Sequence, residues 1–270
     1  MYLEHFGLTH DPLGKKATLP MEQATSLSCQ LNFLLEAKGI GVVTGESGTG
    51  KTTALRQWSQ SLNPHLYEIV YQADTQFRPF DIYTKFAESL GLEKQHRYSR
   101  LWHNLKEQLI ELSDGKKITP VWILDEAHRL PRDFLLNLPA LLNIQFDSKN
   151  IMVIILCGTP CLLASLQRGA FEAVASRIRF VEHWEAIDDI QTFSDIIKTA
   201  FAQAGKTETI LSGSGLQLLF MASKGRLRFA DRIITNSLQI AAQENLNHLP
   251  DELIKRSIEN YKMLGNKFIS

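Results

Sequence analysis

The sequence predicts an α/β fold: a parallel sheet sandwiched between helices, followed by a small all-helical C-terminal domain. Three observations predict it. Short, strongly apolar segments alternate with helix-patterned ones up to about Ile187. A glycine-rich stretch, GESGTGKT at residues 45–52, stands between a strand-like run and a helix-like run. Beyond Ile187 strand patterns stop and helical periodicity takes over.

The elements follow in order. Gly7, Pro12, Gly14 and Pro20 are breakers that make residues 1–20 irregular. LNFLLEAK carries a helix from about Glu22 to Lys38, and IGVVTG (40–45) is a short buried strand running into the glycine turn. A helix from Lys51 to about Leu62 precedes the strand LYEIVYQA (66–73). Pro79 suits the first turn of a helix to Leu90 that Gly91 stops, and residues 99–113 form another amphipathic helix. ITPVWILDEA (118–127) is an apolar strand ending in two carboxylates, and Pro131 opens a helix to about Leu142. NIMVIILCGTP (150–160) and the more polar RIRFVEHW (177–184) are the remaining strands. Strands read as apolar on both faces, alternating with helices, imply a parallel sheet covered on both sides. Helices near 188–204, 214–222, 226–243 and 250–262 make up the second domain. The expected division is therefore 1–187 and 188–270.

Composition narrows the function. The chain has 270 residues, 44% of them hydrophobic, enough for a substantial core. Lys+Arg and Asp+Glu are both 29, so any nucleic-acid contact must come from a local basic patch rather than bulk charge. Neutrality also permits self-association. The odd, sparse cysteines, Cys29, Cys157 and Cys161, lack metal-ligand spacing and suggest reduced thiols in a cytoplasmic protein, with Cys157 in the core. MYLEHFGLTHDPL has no basic region followed by an apolar stretch, so it is no signal peptide. Apolar runs such as IMVIILC are too short to span a bilayer, and no membrane association is expected.

GESGTGKT matches the phosphate-loop pattern G-x-x-x-x-G-K-[ST] in the required strand–loop–helix setting. Backbone N–H groups and the helix N-terminus would point at phosphates. Gly45, Gly48 and Gly50 allow the tight backbone, and Glu46, Ser47, Thr49 and Thr53 complete the loop. Lys51 would reach the β- and γ-phosphates and Thr52 would ligate Mg²⁺, so ATP and Mg²⁺ are the expected ligands. In VWILDEAH, Asp125 would hold the Mg²⁺ shell, while Glu126 would orient and polarise a water against the γ-phosphate. Phosphate loop and carboxylates together point to hydrolysis rather than binding alone.

The phosphate loop, the DEAH-like strand end and a helical C-terminal lid together resemble the AAA+ ATPases. MYLEHFGLTHDPL followed by GVVTGESGTGKTTALR looks like the ExeA/GspA-type members, which are named from a secretion-pathway component and have relatives that accompany transposases. The resemblance spans essentially the whole chain and implies further roles. Thr159 in ILCGTP falls at the polar sensor position, after the strand that family topology places between the other two. Secretion-type members usually have Gly-Gln-Pro there, whereas Gly-Thr is similar to transposition regulators of the TniB, TnsC and MuB type. Arg177 and Arg179 in ASRIRF lie near where the family places an arginine that reaches a neighbour's ATP. Arg228 in SKGRLRFADRI fits the Gly-x-x-Arg sensor of the lid, with Arg226 as the fallback.

The resemblance implies a non-sequence-specific, ATP-dependent binder of double-stranded DNA. It would oligomerise as a ring or helical filament and recruit a transposase, with a target-selection protein as a further partner. The sequence ends directly after the lid helix, whereas secretion-type members continue into a membrane span and a wall-binding domain, which also favours this reading. The alternatives are a secretion-pathway ATPase assisting envelope assembly and a nucleotide-switched scaffold with negligible turnover. Candidate DNA contacts lie in LEKQHRYSRLWHNLK (92–106), chiefly Lys94, Arg97 and Arg100, with His96 and Lys106 nearby and Tyr98 and Trp102 interleaved.

Overall fold

The computed structural model describes residues 2–14, 22–143, 150–207 and 210–263. In chain order the elements begin with α1 (Tyr2–Phe6), α2 (Glu22–Ala37), β1 (Gly39–Gly45), α3 (Lys51–Ser61) and β2 (Tyr67–Gln72). They continue with α4 (Pro79–Ser89), α5 (Tyr98–Ile110), β3 (Thr119–Leu124), α6 (Arg132–Asn137), α7 (Pro139–Leu142) and β4 (Val153–Gly158). The remainder is α8 (Cys161–Leu166), α9 (Glu172–Ala175), β5 (Ile178–Trp184), α10 (Ile190–Gln203), α11 (Gly213–Ser223), α12 (Leu227–Gln243) and α13 (Asp251–Met263). Contacts divide the chain into two units. One comprises Gln23–Glu46 and Leu55–Trp184; the other comprises Met1–Glu22, Ser47–Ala54 and Glu185–Ser270.

The first unit holds a five-stranded parallel sheet of order β2-β3-β4-β1-β5, flanked by helices. This is the predicted α/β architecture. The order explains which strands read as continuously apolar. β1 and β4 are buried at every position and β3 at all but its first residue, because each has a strand on both sides. β2 and β5 lie at the edges, and β5 alternates between partly covered and exposed residues until Trp184. The expectation that every strand is apolar on both faces therefore fails at the edges, where one flank meets solvent.

Alternate residues divide the core. Ile40 and Val42 of β1, Trp122 and Leu124 of β3, and Ile154 and Leu156 of β4 share one cluster with buried residues of α4 to α9. Trp122 is fully buried, with its indole stacked on Phe86 at 3.9 Å between centroids and edge-on to Phe134 at 5.7 Å. Its Nε1 donates to Gln72 Oε1 at 3.3 Å, so its polar atom is satisfied. Trp122→Ala is expected to destabilise folding by about 3–5 kcal/mol, read as a lowered urea midpoint, because the cavity left by an indole collapses only in part.

Three local departures from the sequence reading have physical causes. The helix expected over 131–142 breaks into α6 and α7 at Pro139, which has no N–H to donate. The helix expected over 99–113 leaves α-geometry after Ile110 and ends in a π-turn, Glu111–Gly115. Residues 2–6, expected irregular, form α1; residues 15–20 of that stretch lie outside the described set.

The second unit gathers α10 to α13 with the N-terminal segment, which the sequence reading had assigned to the α/β domain. His5 Nε2 lies 2.8 Å from the Leu246 carbonyl and Thr9 N donates to the Ala204 carbonyl at 2.8 Å. Phe6 and Leu8 of the HFGL element are buried. α10 and α11 are capped by Asp189 and Ser212, whose side chains accept from the backbone N–H groups of Thr192 and Gly215. Among the described residues no helix is long and apolar enough to cross a membrane.

Candidate functional site

β1 delivers the chain into the glycine loop. Gly45 has φ 157°, and a Cβ there would fall 2.1 Å from the Trp184 carbonyl oxygen of the neighbouring strand, so only glycine fits. Gly48 and Gly50 have φ of 86° and 110°, in the left-handed region that favours glycine. α3 then begins at Lys51 with no acidic residue in its first turn, so its N-terminus keeps its affinity for anions. Glu46, Ser47 and Thr52 are exposed, while Thr49 is buried. Lys51 is only 8% exposed and its Nζ lies 3.5 Å from Thr49 Oγ1. Shielding from water strengthens any anion contact this ammonium makes. Left-handed glycines, a helix start and a shielded ammonium fit a polyphosphate.

Helix α12 of the C-terminal helical region meets this loop. Arg228 N donates to the Gly48 carbonyl at 3.1 Å, and its guanidinium donates to Ser47 Oγ at 2.8 Å. α12 has no side-chain cap, so the Gly48 carbonyl serves one of its orphan N–H groups. A Cβ at Gly48 would lie 2.7 Å from that of Arg228, which makes the close approach specific to glycine. Arg226, the fallback, instead lies over the Phe229 ring at 5.4 Å.

In the sheet unit, Asp125 follows β3 directly and is 5% exposed. Its N–H donates to the Gln72 carbonyl, extending the β2–β3 pairing by one residue. Its carboxylate accepts the Tyr71 hydroxyl at 2.9 Å and the Glu126 N–H at 2.9 Å. The Tyr71 phenol is pushed far above its ordinary range, first by burial and then by the charge of Asp125 and the hydrogen bond to it. It therefore stays a proton donor to the carboxylate. Glu126 has left-handed φ 53° and ψ 33°, unusual for a residue with a side chain, and Thr75 Oγ1 donates to its carbonyl. Its Oε2 lies 3.7 Å from His128 Nε2 and 3.9 Å from Arg129 Nε.

Thr159 follows β4, which lies between β1 and β3 as the resemblance implied. Its backbone N–H donates to His128 Nδ1 at 3.4 Å. Arg177, just before β5, donates to Asn143 Oδ1 at 2.5 Å and to the Ala173 carbonyl at 3.0 Å, so it is engaged within its own unit. Arg179 is exposed on the edge strand, and its Nε donates to the Lys38 carbonyl at 3.3 Å. Lys94, Arg97 and Arg100 are all exposed around the start of α5, whose N-terminus lacks a side-chain cap. The interleaved aromatics are committed to packing. Tyr98 stacks on Trp102, and Trp102 sits edge-on to Tyr83 of α4.

Two partners of the carboxylate pair, Tyr71 and His128, were given no role in the sequence reading. His128 was visible in the DEAH run. The link from Tyr71 to Asp125 depends on β2 pairing with β3.

Comparison with known proteins accords with this geometry. Residues 35–166 match the model of the AAA domain. General secretion pathway protein A of Aeromonas hydrophila is 28% identical over 256 residues, covering 92% of this chain. The chain spans 46% of that relative's length. Among solved structures, Cdc6p from Pyrobaculum aerophilum superposes with a TM-score of 0.75 at 21% identity, covering 94% of this chain and 71% of that one. The ORC2 protein of Aeropyrum pernix gives 0.73 at 18%, covering 96% and 74%. The ORC1 protein of the same organism, in complex with DNA, gives 0.71 at 16%, covering 96% and 69%. Residues 35–166 thus resemble an AAA domain, the fold is the AAA+ fold, and the chain is distantly similar to a secretion-pathway protein.

Proposed function

We propose that this chain is an ATPase that uses hydrolysis as a conformational switch. The observations that carry the reading are a left-handed glycine loop with a shielded Lys51 and, within the sheet unit, a strand β3 that ends in buried Asp125 and left-handed Glu126. Lys51 and the loop backbone would hold the phosphates, with Thr52 and Asp125 holding Mg²⁺. The ion supplies charge neutralisation on the phosphate oxygens. Glu126 would orient and deprotonate the attacking water. Arg228, already on the phosphate loop, would pass the state of the γ-phosphate to the lid. Arg179, on its exposed edge, is the better placed of the two arginines to serve a neighbouring subunit in a ring or filament. Phosphate release by the wild-type chain that Glu126→Gln lacks is the test.

The relative named from the general secretion pathway favours a secretion-associated role for this switch. A second reading, DNA binding, is favoured by exposed Lys94, Arg97 and Arg100 and by the fold shared with an ORC1 protein solved on DNA. Recruitment of a transposase and a target-selection protein is supported by the resemblance of the Gly158-Thr159 step. The two readings separate at low salt with a non-hydrolysable ATP analogue. A DNA-acting chain binds duplex DNA with little sequence preference, and its log–log salt slope is about −0.9 per contacted phosphate. Replacing Lys94, Arg97 and Arg100 with Ala should flatten that slope and leave ATP affinity intact. Failure to bind duplex DNA would leave the secretion reading standing alone, whereas binding with an unchanged slope would move the DNA site elsewhere.

A further inference from the structure

We propose that His128 is a positioning residue that fixes the Glu126 carboxylate from the end of β4. The proposal rests on the ATPase reading and assigns the residue that sets the pose of its general base.

The imidazole bridges two strand ends. Nδ1 accepts the Thr159 N–H at 3.4 Å, and Nε2 lies 3.7 Å from Glu126 Oε2. Accepting at Nδ1 puts the proton of the neutral ring on Nε2, the nitrogen facing the carboxylate. The ring is held in place: its side chain is 19% exposed, and Gly158 leaves it the room it occupies. A Cβ at Gly158 would sit 3.1 Å from His128 N and 3.3 Å from Nδ1.

Glu126 needs such a hold. Its side chain is 45% exposed on a left-handed residue, so packing alone does not select a rotamer. Arg129 approaches the same oxygen, but at 3.9 Å and with 52% of its side chain exposed, its pull is screened by water. His128 is the better shielded of the two. Both contacts fall on Oε2; among the described residues of this unit none falls on Oε1. One carboxylate oxygen thus faces the two basic side chains and the other is left for a water. Because the imidazole is itself held by the backbone at Thr159, a displacement at the end of β4 would reach Glu126 through the ring.

The test uses His128→Asn, whose amide oxygen replaces Nδ1 as acceptor for Thr159 but offers nothing in place of Nε2. Turnover should fall about tenfold with the ATP KM within about twofold, the signature of an interaction lost at the chemical step. A structural role alone predicts wild-type turnover in this variant, and that result would overturn the proposal. So would a raised KM with unchanged kcat. An independent readout needs no nucleotide: histidine ¹⁵N NMR of the wild-type chain, with the His128 signal identified by its loss in His128→Asn. The neutral ring should carry its proton on Nε2; a proton on Nδ1 would contradict the geometry. Wild-type turnover no higher than that of Glu126→Gln would instead remove the ATPase reading beneath the proposal.

Discussion

Glu126→Gln should lower ATP turnover by about a hundredfold or more while ATP affinity stays within about twofold, the range expected when a general base is lost. The amide keeps the shape and the left-handed backbone at this position, since Gln and Glu differ only at the tip of the side chain. It loses the negative charge that draws a proton from water. It also puts an amide where His128 and Arg129 now face a carboxylate oxygen. The variant should therefore accumulate in its ATP-bound form. Phosphate release and nucleotide titration on the same preparation check both halves. Equal turnover in wild type and variant would remove Glu126 from the mechanism.

Lys51→Ala should weaken ATP binding by about tenfold or more, since hydrogen bonds to charged groups contribute roughly 1.5–3 kcal/mol. Turnover should fall with it. Lys51 is only 8% exposed, and an ammonium so shielded from water makes a stronger contact with an anion. Its removal also empties a buried volume, so nucleotide-free thermal stability must be measured beside affinity. Weaker ATP binding without loss of nucleotide-free stability assigns the effect to phosphate recognition. Unchanged affinity would detach Lys51 from the nucleotide.

Most of the architecture was legible in the sequence because central strands and lid helices carry strong periodic signals. IGVVTG, VWILDE and NIMVIILC read as buried strands, and each is a central strand of the sheet. The edges were less legible. β2 and β5 keep a polar side to water, and nothing in a single sequence tells an edge from a centre. The break at Pro139 was readable in principle, since proline inside a helical pattern removes a donor. Placement of the N-terminal segment was not readable: His5 finds its partner at Leu246, and no local pattern carries so distant a pairing. The placement of GESGTGKT between β1 and α3, and of Asp125 and Glu126 at the end of β3, was legible because each follows a strongly apolar strand. The Tyr71 contact was not, because a hydroxyl on Asp125 follows from the pairing of β2 with β3 rather than from motif spacing, whereas His128, two residues after Glu126, stood in the DEAH run itself.

The central claim is that this chain hydrolyses ATP with Lys51 holding the phosphates and Glu126 activating water. Its most direct test is phosphate release from ATP and Mg²⁺ by the wild-type chain, with Lys51→Ala and Glu126→Gln measured alongside under identical conditions. The account predicts release by the wild type alone, with ATP retained by Glu126→Gln and bound weakly by Lys51→Ala. Release by all three at the same rate, or by none above background, would contradict it.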